Sequence, residues 1–336
     1  MAALRGILCS EMRDRFDRDI NYMRISVTDR CNLRCRYCMP DGIEQVPHGD
    51  ILRYEEILRI AQAAVQAGIT RFKVTGGEPL ARPGVSDLVR MLKEIPGTEQ
   101  VTLTTNGVLL ARALPALTQA GLDAVNISLD TTDRERFREI TGFDALEEVL
   151  TSIDAALETA MRVKLNVVPL AGVNEEDWLP LVRLARDRTL DVRFIEMMPI
   201  GCGRGFTPVS NVDVFEKIRA VFPDPEEDVT IHGNGPARYI RIAGFKGSIG
   251  FISAIHGKFC SSCNRIRLTA TGALKPCLCY GDSVDVREIL RSMPRDAADR
   301  ALRDALREAV LSKPRAHRFE DTRFITEQKR MVSIGG

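Results

Sequence analysis

The stretch SVTDRCNLRCRYCMP, residues 26 to 40, holds three cysteines within eight positions: Cys31, Cys35 and Cys38. The spacing Cys-x3-Cys-x2-Cys allows one short loop to bind three corners of a cubane iron-sulfur cluster. Three protein ligands for four irons leave one iron open to a substrate or cosubstrate, as the open position does in a catalytic zinc site. The stretch therefore predicts a cluster with a catalytic role.

Buried or zinc-bound cysteines are the alternative interpretation of this stretch, because zinc fingers also use Cys-x2-Cys pairs. A zinc site requires a fourth Cys or His nearby. The nearest histidine is His48, which lies beyond a stretch containing proline and glycine. The spacing therefore favours iron over zinc.

Charge, hydropathy and cysteine usage exclude several classes of protein. Lys plus Arg number 47 and Asp plus Glu 46, so the chain lacks the overall basic field that nonspecific nucleic-acid binding requires. No apolar run reaches about 18 residues, and the N-terminus has no signal-peptide core. The nine cysteines fall mostly into two groups, with Cys9 and Cys202 isolated, which is unlike a disulfide framework. We expect a cytoplasmic metal protein without nucleic-acid or membrane partners.

A β-branched run followed by an amphipathic helix recurs six times after a short charged arm, residues 1 to 20. The predicted strands are 24–28, 71–75, 100–105, 124–129, 163–168 and 191–197. Such alternation favours parallel strands with crossover helices, in an open sheet, a barrel or a partial barrel.

Polar or glycine-rich clusters follow most of these strands. They are the cysteine loop, TGGEP at 75–79, TTNG at 104–107, SLD at 128–130 and EMMP at 196–199. Because parallel strands direct their βα loops to one face, we expect the active site at this rim.

The βα pattern ends near Pro223, and PDPEED forms a linker rich in proline and acids. We therefore predict two domains, residues 1–225 and 226–336. The second contains two β-like runs, helices near 283–292 and 296–311, and a second group of cysteines: Cys260, Cys263, Cys277 and Cys279. Four cysteines in this span suit tetrahedral zinc, while the first motif favours a second cluster. Cys279 is interpreted as a spare buried thiol, with a role as an alternative ligand left open.

CNLRCRYC, followed one βα unit later by TGGEP, resembles the radical S-adenosylmethionine (SAM) enzymes. The resemblance implies an α/β fold, a partial (βα)6 TIM-like barrel of the radical SAM type with a C-terminal second iron-sulfur cluster domain. It also implies that the open iron of the first cluster binds SAM. The residues that it places in the SAM pocket are Tyr37, Gly77, Ser128 and Met198. Without the resemblance, Gly77 could simply form a tight turn, Ser128 could cap a helix, and Met198 could be an ordinary core residue.

LTTNG, NISLD, RFIEMMP, the Cys-x2-Cys-x13-Cys group with NRIRL inserted, and the terminal Gly335-Gly336 resemble the GTP 3′,8-cyclase family of molybdenum-cofactor biosynthesis. The resemblance runs from about Arg24 to Gly336. It implies a lyase-type enzyme in which a 5′-deoxyadenosyl radical removes the ribose C3′ hydrogen of GTP. The C3′ radical then adds to C8, and reduction of the resulting aminyl radical gives (8S)-3′,8-cyclo-7,8-dihydroguanosine 5′-triphosphate. The implied cofactors are SAM and two [4Fe-4S] clusters, the second held by Cys260, Cys263 and Cys277.

The same resemblance implies a set of GTP contacts, with Arg265 and Arg267 acting in catalysis beside the first cysteine group. The contacts are Arg24, Lys73, Thr104, Lys164, Arg265, Ile266 and Arg267. We expect the basic side chains and Thr104 to project from strand ends or from the second cysteine loop. Lys73 departs from the arginine of the family, so its fork geometry for phosphate is lost. The Gly335-Gly336 tail is implied to reach the active site.

The implied partners are an external one-electron reductant and a downstream enzyme of cofactor synthesis. The oligomeric state is left open, and a homodimer is among the possibilities. Two alternative functions also stay open at this point. One is a radical SAM enzyme that modifies a peptide, and the other is a zinc-stabilised binding protein.

Overall fold

A computed structural model describes residues 12–43 and 46–335. Its first part is built from six parallel strands and the helices between them. The strands are β1 (Tyr22–Ser26), β2 (Arg71–Thr75), β3 (Gln100–Thr105), β4 (Ala124–Ser128), β5 (Arg162–Val167) and β6 (Leu190–Ile195). The helices are α1 (Tyr54–Gln66), α2 (Val85–Lys93), α3 (Leu110–Gln119), α4 (Arg134–Thr141), α5 (Leu146–Leu157), α6 (Trp178–Asp187) and α7 (Asn211–Val221).

The rest of the chain adds short strands and two helices. They are β7 (Glu226–Asp228), β8 (Arg238–Arg241), β9 (Ile249–Ile252), β10 (Arg265–Leu268), β11 (Ala273–Lys275), β12 (Val284–Asp285), α8 (Arg287–Ser292) and α9 (Arg295–Leu311). The two predicted β-like runs form β8 and β9.

All described strands join one sheet in the order β12-β11-β10-β1-β2-β3-β4-β5-β6-β9-β8-β7. The central strands from β10 to β9 run parallel, and the pairs at both margins are antiparallel. The predicted α/β fold with six βα units in a partial barrel is confirmed. The C-terminal part extends this barrel along both edges, through β10 beside β1 and β9 beside β6. The domain division at residue 225 stays a prediction.

Strand alternation gives the barrel two different faces. Met23 and Ile25 of β1, like Phe72 and Val74 of β2, are fully buried in the hydrophobic core under the helices. The residues between them point the other way, because successive side chains of a strand alternate. The inner wall of the barrel is consequently polar, which places charged groups where many barrels have apolar layers.

The helices cover the outer face because their apolar residues recur at helical spacing. In α1, Ile57, Ile60 and Ala64 are buried, and the helix ends before Gly68, whose φ of 91° suits glycine alone. Helix α9 packs on α1, where Arg59 pairs with Asp299 at 2.7 Å. None of the helices in the described ranges is long and apolar enough to cross a membrane.

Both ends of the described chain are fixed by contacts. The part of the N-terminal arm from residue 12 packs on the C-terminal half, where Arg18 is 7 % exposed. Near the end of the described chain, Val332 and Ile334 are buried. Cys9 and Gly336 lie outside the described residues.

Candidate active site at the rim and inner wall of the barrel

Two neighbouring cavities inside the barrel, together called the chamber, share part of their lining. The rim cavity, of about 340 Å³, is lined by the cysteines of both predicted cluster groups. The deep cavity, of about 370 Å³, lies against the inner wall and under the loop between β7 and β8. The two cavities share Arg24, Asn166, Ile195, Ile252 and Arg265. A ligand can therefore extend from the rim into the basic interior.

The first cysteine group lies in the loop after β1, at the rim. Cys31, Cys35 and Cys38 are all partly exposed to the rim cavity. Burial raises the pKa of the Cys35 thiol well above its usual value and that of Cys38 to about 12. Thiolates at these positions therefore need a compensating cation, which the irons of a cluster supply.

Gly76 and Gly77 allow the loop after β2 to touch the backbone that leads into the first cysteine group. The Gly77 N–H donates to the Thr28 carbonyl at 2.8 Å. A Cβ at Gly77 would lie 2.3 Å from the Arg30 carbonyl oxygen, and one at Gly76 would lie 2.7 Å from that of Thr28. The glycines are thus required by this close approach and not only by a turn.

Glu78 fastens the same loop to the loop after β3. Its fully buried carboxylate accepts from the Thr105 hydroxyl at 2.8 Å and from the Asn106 N–H at 2.7 Å. Burial raises the pKa of Glu78 to about 7. Asn106 in turn donates to Cys31 Sγ at 3.7 Å. The three loops after β1, β2 and β3 are therefore held as one unit around the first cysteine group.

The other predicted SAM residues also line the rim cavity. The Tyr37 hydroxyl donates to Asp130 Oδ2 at 2.6 Å. Burial raises the pKa of Asp130 to about 6 and that of Tyr37 well above its usual value. Ser128 does not cap the next helix, because Asp133 caps α4. Met198 packs beside a small apolar cluster at the second cysteine group.

The second cysteine group faces the first across the rim cavity. Cys260, Cys263 and Cys277 line this cavity. Burial alone would raise the pKa of Cys263, but Lys313, Arg265 and a backbone N–H lower it to about 7. Cys279 is fully buried and packs with apolar side chains, as expected for a spare thiol.

Both cysteine groups fit a cubane in their donor chemistry. Within residues 12–43 and 46–335, no three Cys, His, Asp or Glu side chains converge as ligands of one ion do. A cubane attaches each thiolate to a different iron, so three cysteines around one cavity need no such convergence.

Basic side chains dominate the inner wall below the rim. Lys73, Lys164 and Arg193 are buried in the middle of strands β2, β5 and β6. Burial, and then the neighbouring Arg193 and Arg24, lower the pKa of Lys73 well below its usual value. Burial, and then Arg193, lower the pKa of Lys164 to about 8. The buried Nε atoms of Arg193 and Arg265 have no hydrogen-bond partner among the described residues. This concentration of positive charge fits a polyanionic ligand.

The expectation that the basic residues project from strand ends is wrong. Arg24, Lys73 and Lys164 are each the third residue of their strand, so they face the barrel interior below the rim. Thr104 does lie near the end of β3 and lines the rim cavity. The side chain of Ile266 points into the hydrophobic core, so it can contribute to the chamber only through its backbone.

Arg267 connects the chamber to the C-terminal tail. Its guanidinium donates to the Gly335 carbonyl at 2.9 Å. Burial, and then Arg24 and Arg265, lower the pKa of Arg267 to about 9. Gly335 adopts φ 76° and lies against Ser26 and Thr75 at the ends of β1 and β2. The described end of the tail therefore contacts a residue that lines the chamber.

Sequence reasoning missed two groups in the chamber. Arg193 stands between the apolar Val192 and Phe194 in β6. The alternation of side chains along the strand could predict that Arg193 faces the barrel interior, but it could not predict what Arg193 binds there. Asp130 belongs to the SLD cluster that marks the rim, but nothing local indicates its bond to Tyr37.

Comparison with known proteins identifies the family of the chain. The family model described as Radical SAM superfamily matches residues 25–185, and that described as Molybdenum Cofactor Synthesis C matches residues 190–319. The crystal structure of SuiB from Streptococcus suis bound to S-adenosylmethionine has the same fold. Its TM-score is 0.64 at 14% identity, over 87% of this chain and 68% of that one. The fold and the rim site define a radical SAM enzyme.

Relatives of known activity identify the family within the radical SAM enzymes. The GTP 3′,8-cyclase of Heliobacterium modesticaldum is 45% identical, over 97% of this chain and all (100%) of its own length. The GTP 3′,8-cyclase of Clostridium perfringens is 42% identical over the same shares, 97% and 100%. The chain belongs to the GTP 3′,8-cyclase family, so the resemblance inferred from its motifs is confirmed. Membership of this family favours the cyclase over the two alternatives, a zinc-stabilised binding protein and a peptide-modifying enzyme.

Proposed function

We propose that this chain converts GTP to (8S)-3′,8-cyclo-7,8-dihydroguanosine 5′-triphosphate, the first step of molybdenum-cofactor biosynthesis. The observation that carries the proposal is the joining of two cavities. One is a rim lined by two cysteine groups, and the other is a deep pocket lined by buried cations. A nucleoside triphosphate matches both cavities, because its base can face the cysteines of the rim cavity and its polyanionic phosphates can enter the basic deep cavity.

The triphosphate would be gripped by the inner wall. Lys73, Lys164 and Arg193 line the deep cavity, and Arg24 and Arg265 lie where it meets the rim cavity. Arginine offers paired donors to phosphate oxygens, while lysine offers a point charge. The guanine and ribose would then lie near Thr104 and Arg267, between the two cysteine groups.

SAM would bind at the first cysteine group. The backbone beside Gly77 would hold its methionine end, and Tyr37, Ser128 and Met198 would line the rest of its pocket. Fixed loops orient a ligand better than mobile ones, and Glu78 joins two of these loops. When bound, a cluster held by Cys31, Cys35 and Cys38 supplies the electron that cleaves SAM to a hydrogen-abstracting radical.

Several parts of the sequence-based hypothesis remain proposals. They include a second [4Fe-4S] cluster at Cys260, Cys263 and Cys277, an external one-electron reductant and a downstream enzyme that uses the cyclic product. The cytoplasmic location and a homodimer also stay predictions.

An anaerobic iron and sulfide count, followed by an assay for 5′-deoxyadenosine with and without GTP, tests the proposal. We expect two clusters per chain and SAM cleavage that requires GTP. Zinc at the second group would refute the proposed cofactor set. SAM cleavage indifferent to GTP would refute the proposed substrate.

Two neighbouring cysteines provide a matched pair for the second cluster. Cys277→Ala should remove about half of the iron, because one of two equal clusters loses a ligand. Cys279→Ala should leave the iron count unchanged, since Cys279 packs among apolar side chains. Equal iron loss in both variants would contradict the ligand assignment.

A further inference from the structure

Lys313 is a buried lysine between the two arms of the second cysteine group. It is 4 % exposed and follows α9. Its ammonium donates to the Arg265 carbonyl at 2.7 Å, to the Pro276 carbonyl at 2.8 Å and to Cys263 Sγ at 3.7 Å. Arg265 belongs to the arm that carries Cys263, and Pro276 immediately precedes Cys277. One side chain therefore links both arms.

The residues after Lys313 contact the remaining cysteine. The His317 N–H donates to Cys260 Sγ at 3.4 Å. Arg18 fixes this segment, because its guanidinium donates to the carbonyls of Cys260 at 2.8 Å and of Pro314 at 2.7 Å. The segment 313–317 thus contacts Cys260, Cys263 and the residue before Cys277.

The charge of Lys313 has no carboxylate partner in the described ranges. Its ammonium forms no ion pair with the residues that the structure describes, and its acceptors are two neutral carbonyls and one thiol. Burying a cation without a counter-charge costs several kcal/mol. A cubane bound by three thiolates is anionic, so it would supply the missing counter-charge at this position.

We propose that Lys313 is a positioning residue for the second cluster. It holds the two arms at a fixed separation, and its positive charge and N–H···S contact favour the reduced, more negative cluster. The inference rests on the proposed function, because it requires a cluster at Cys260, Cys263 and Cys277. It also links the cluster to the substrate, since the arm that Lys313 holds carries Arg265.

The test compares Lys313→Met, which keeps the length but removes charge and donors, with Lys313→Arg, which keeps both. Lys93→Met is the matched control, because Lys93 bridges to Asp123 at 2.9 Å on the outer side of the barrel. The full-length reconstituted proteins undergo an anaerobic redox titration. The reduction of each cluster is followed by its electron paramagnetic resonance signal. Iron per chain is counted in parallel.

We expect Lys313→Met to shift the midpoint potential of the second cluster to a lower value and to leave that of the first unchanged. Lys313→Arg should keep the midpoint potential of the second cluster close to the wild-type value, and Lys93→Met should have the wild-type potential. Loss of the second cluster in Lys313→Met, with retention in Lys313→Arg, would also support the inference.

Two bound clusters with an unchanged potential in Lys313→Met would overturn the inference and leave the proposed function intact. Loss of the second cluster in both Lys313 variants would overturn it too, because retained charge and donors would then not hold the arms. Zinc in place of iron in wild type would overturn the proposed cofactor set together with the inference. The wild-type count separates that last case before any variant is made.

Discussion

Replacing Gly77 by alanine should separate the loop after β2 from the backbone that leads into the first cysteine group. The new Cβ would lie 2.3 Å from the Arg30 carbonyl oxygen and 2.9 Å from that of Asp29. Two backbone hydrogen bonds hold the loops at this distance. Gly77 N–H donates to Thr28 at 2.8 Å, and Glu78 N–H donates to Arg30 at 2.8 Å.

The cost of the substitution follows from these contacts. Overpacking of this kind costs about 1–3 kcal/mol. Losing the two hydrogen bonds adds about 1 kcal/mol each. The expected loss in free energy of unfolding is therefore about 3–5 kcal/mol, a large part of the roughly 5–15 kcal/mol of a typical protein. The protein should still fold, but with a displaced cysteine loop.

Urea unfolding of anaerobically purified protein measures the loss, and calorimetry measures SAM affinity. Gly49→Ala is the control, since a Cβ at Gly49 would meet nothing within 4 Å. We expect Gly77→Ala to lose SAM binding and part of its iron, because the displaced backbone continues directly into Cys31. Stability and SAM affinity equal to those of the Gly49 variant would refute the close-approach argument.

Three further predictions concern the deep cavity and the tail. Arg193→Met should weaken GTP binding about tenfold to a hundredfold through the loss of charge-assisted hydrogen bonds. Arg188→Met should not, because the Arg188 side chain is partly exposed and pairs with Asp154; equal GTP affinities of the two variants would contradict this. Because phosphate stabilises the ammonium of Lys164, whose pKa is about 8, GTP binding should take up protons near pH 8 and weaken above it. Equal calorimetric heats in buffers of different ionisation enthalpy would contradict that uptake. Deleting Gly335-Gly336 removes the acceptor of Arg267 and should lower GTP-dependent SAM cleavage; unchanged cleavage would refute a role for the tail.

Local pattern was sufficient to predict the elements of the barrel. The predicted strands 71–75 and 100–105 coincide with β2 and β3, because alternating apolar residues and flanking turn residues define a strand without reference to its neighbours. Helix α9 (Arg295–Leu311) agrees with the predicted 296–311 to within one residue for the same reason.

Depth within the barrel could not be predicted from the sequence. Arg24 and Lys73 were assigned to strand ends, yet they pair in register in the middle of β1 and β2. Alternation tells which face a residue occupies, but the rim is set by the stagger of the whole sheet. The contacts of Lys313 depend on tertiary packing as well, since its acceptors are separated from it by 37 and 48 positions.

The basic inner wall has a consequence for substrate choice. Lys73 is held on this wall at a cost, because burial and then the neighbouring Arg193 and Arg24 lower its pKa well below the usual value. Each phosphate group that enters the deep cavity relieves part of this repulsion, so the wall favours the triphosphate over shorter analogues. The rim cavity, where the base and ribose would lie, is lined by fewer basic side chains than the deep cavity and by both groups of thiols. Under the proposed function, binding energy gained at the phosphates can therefore be used to hold the ribose in place at the rim.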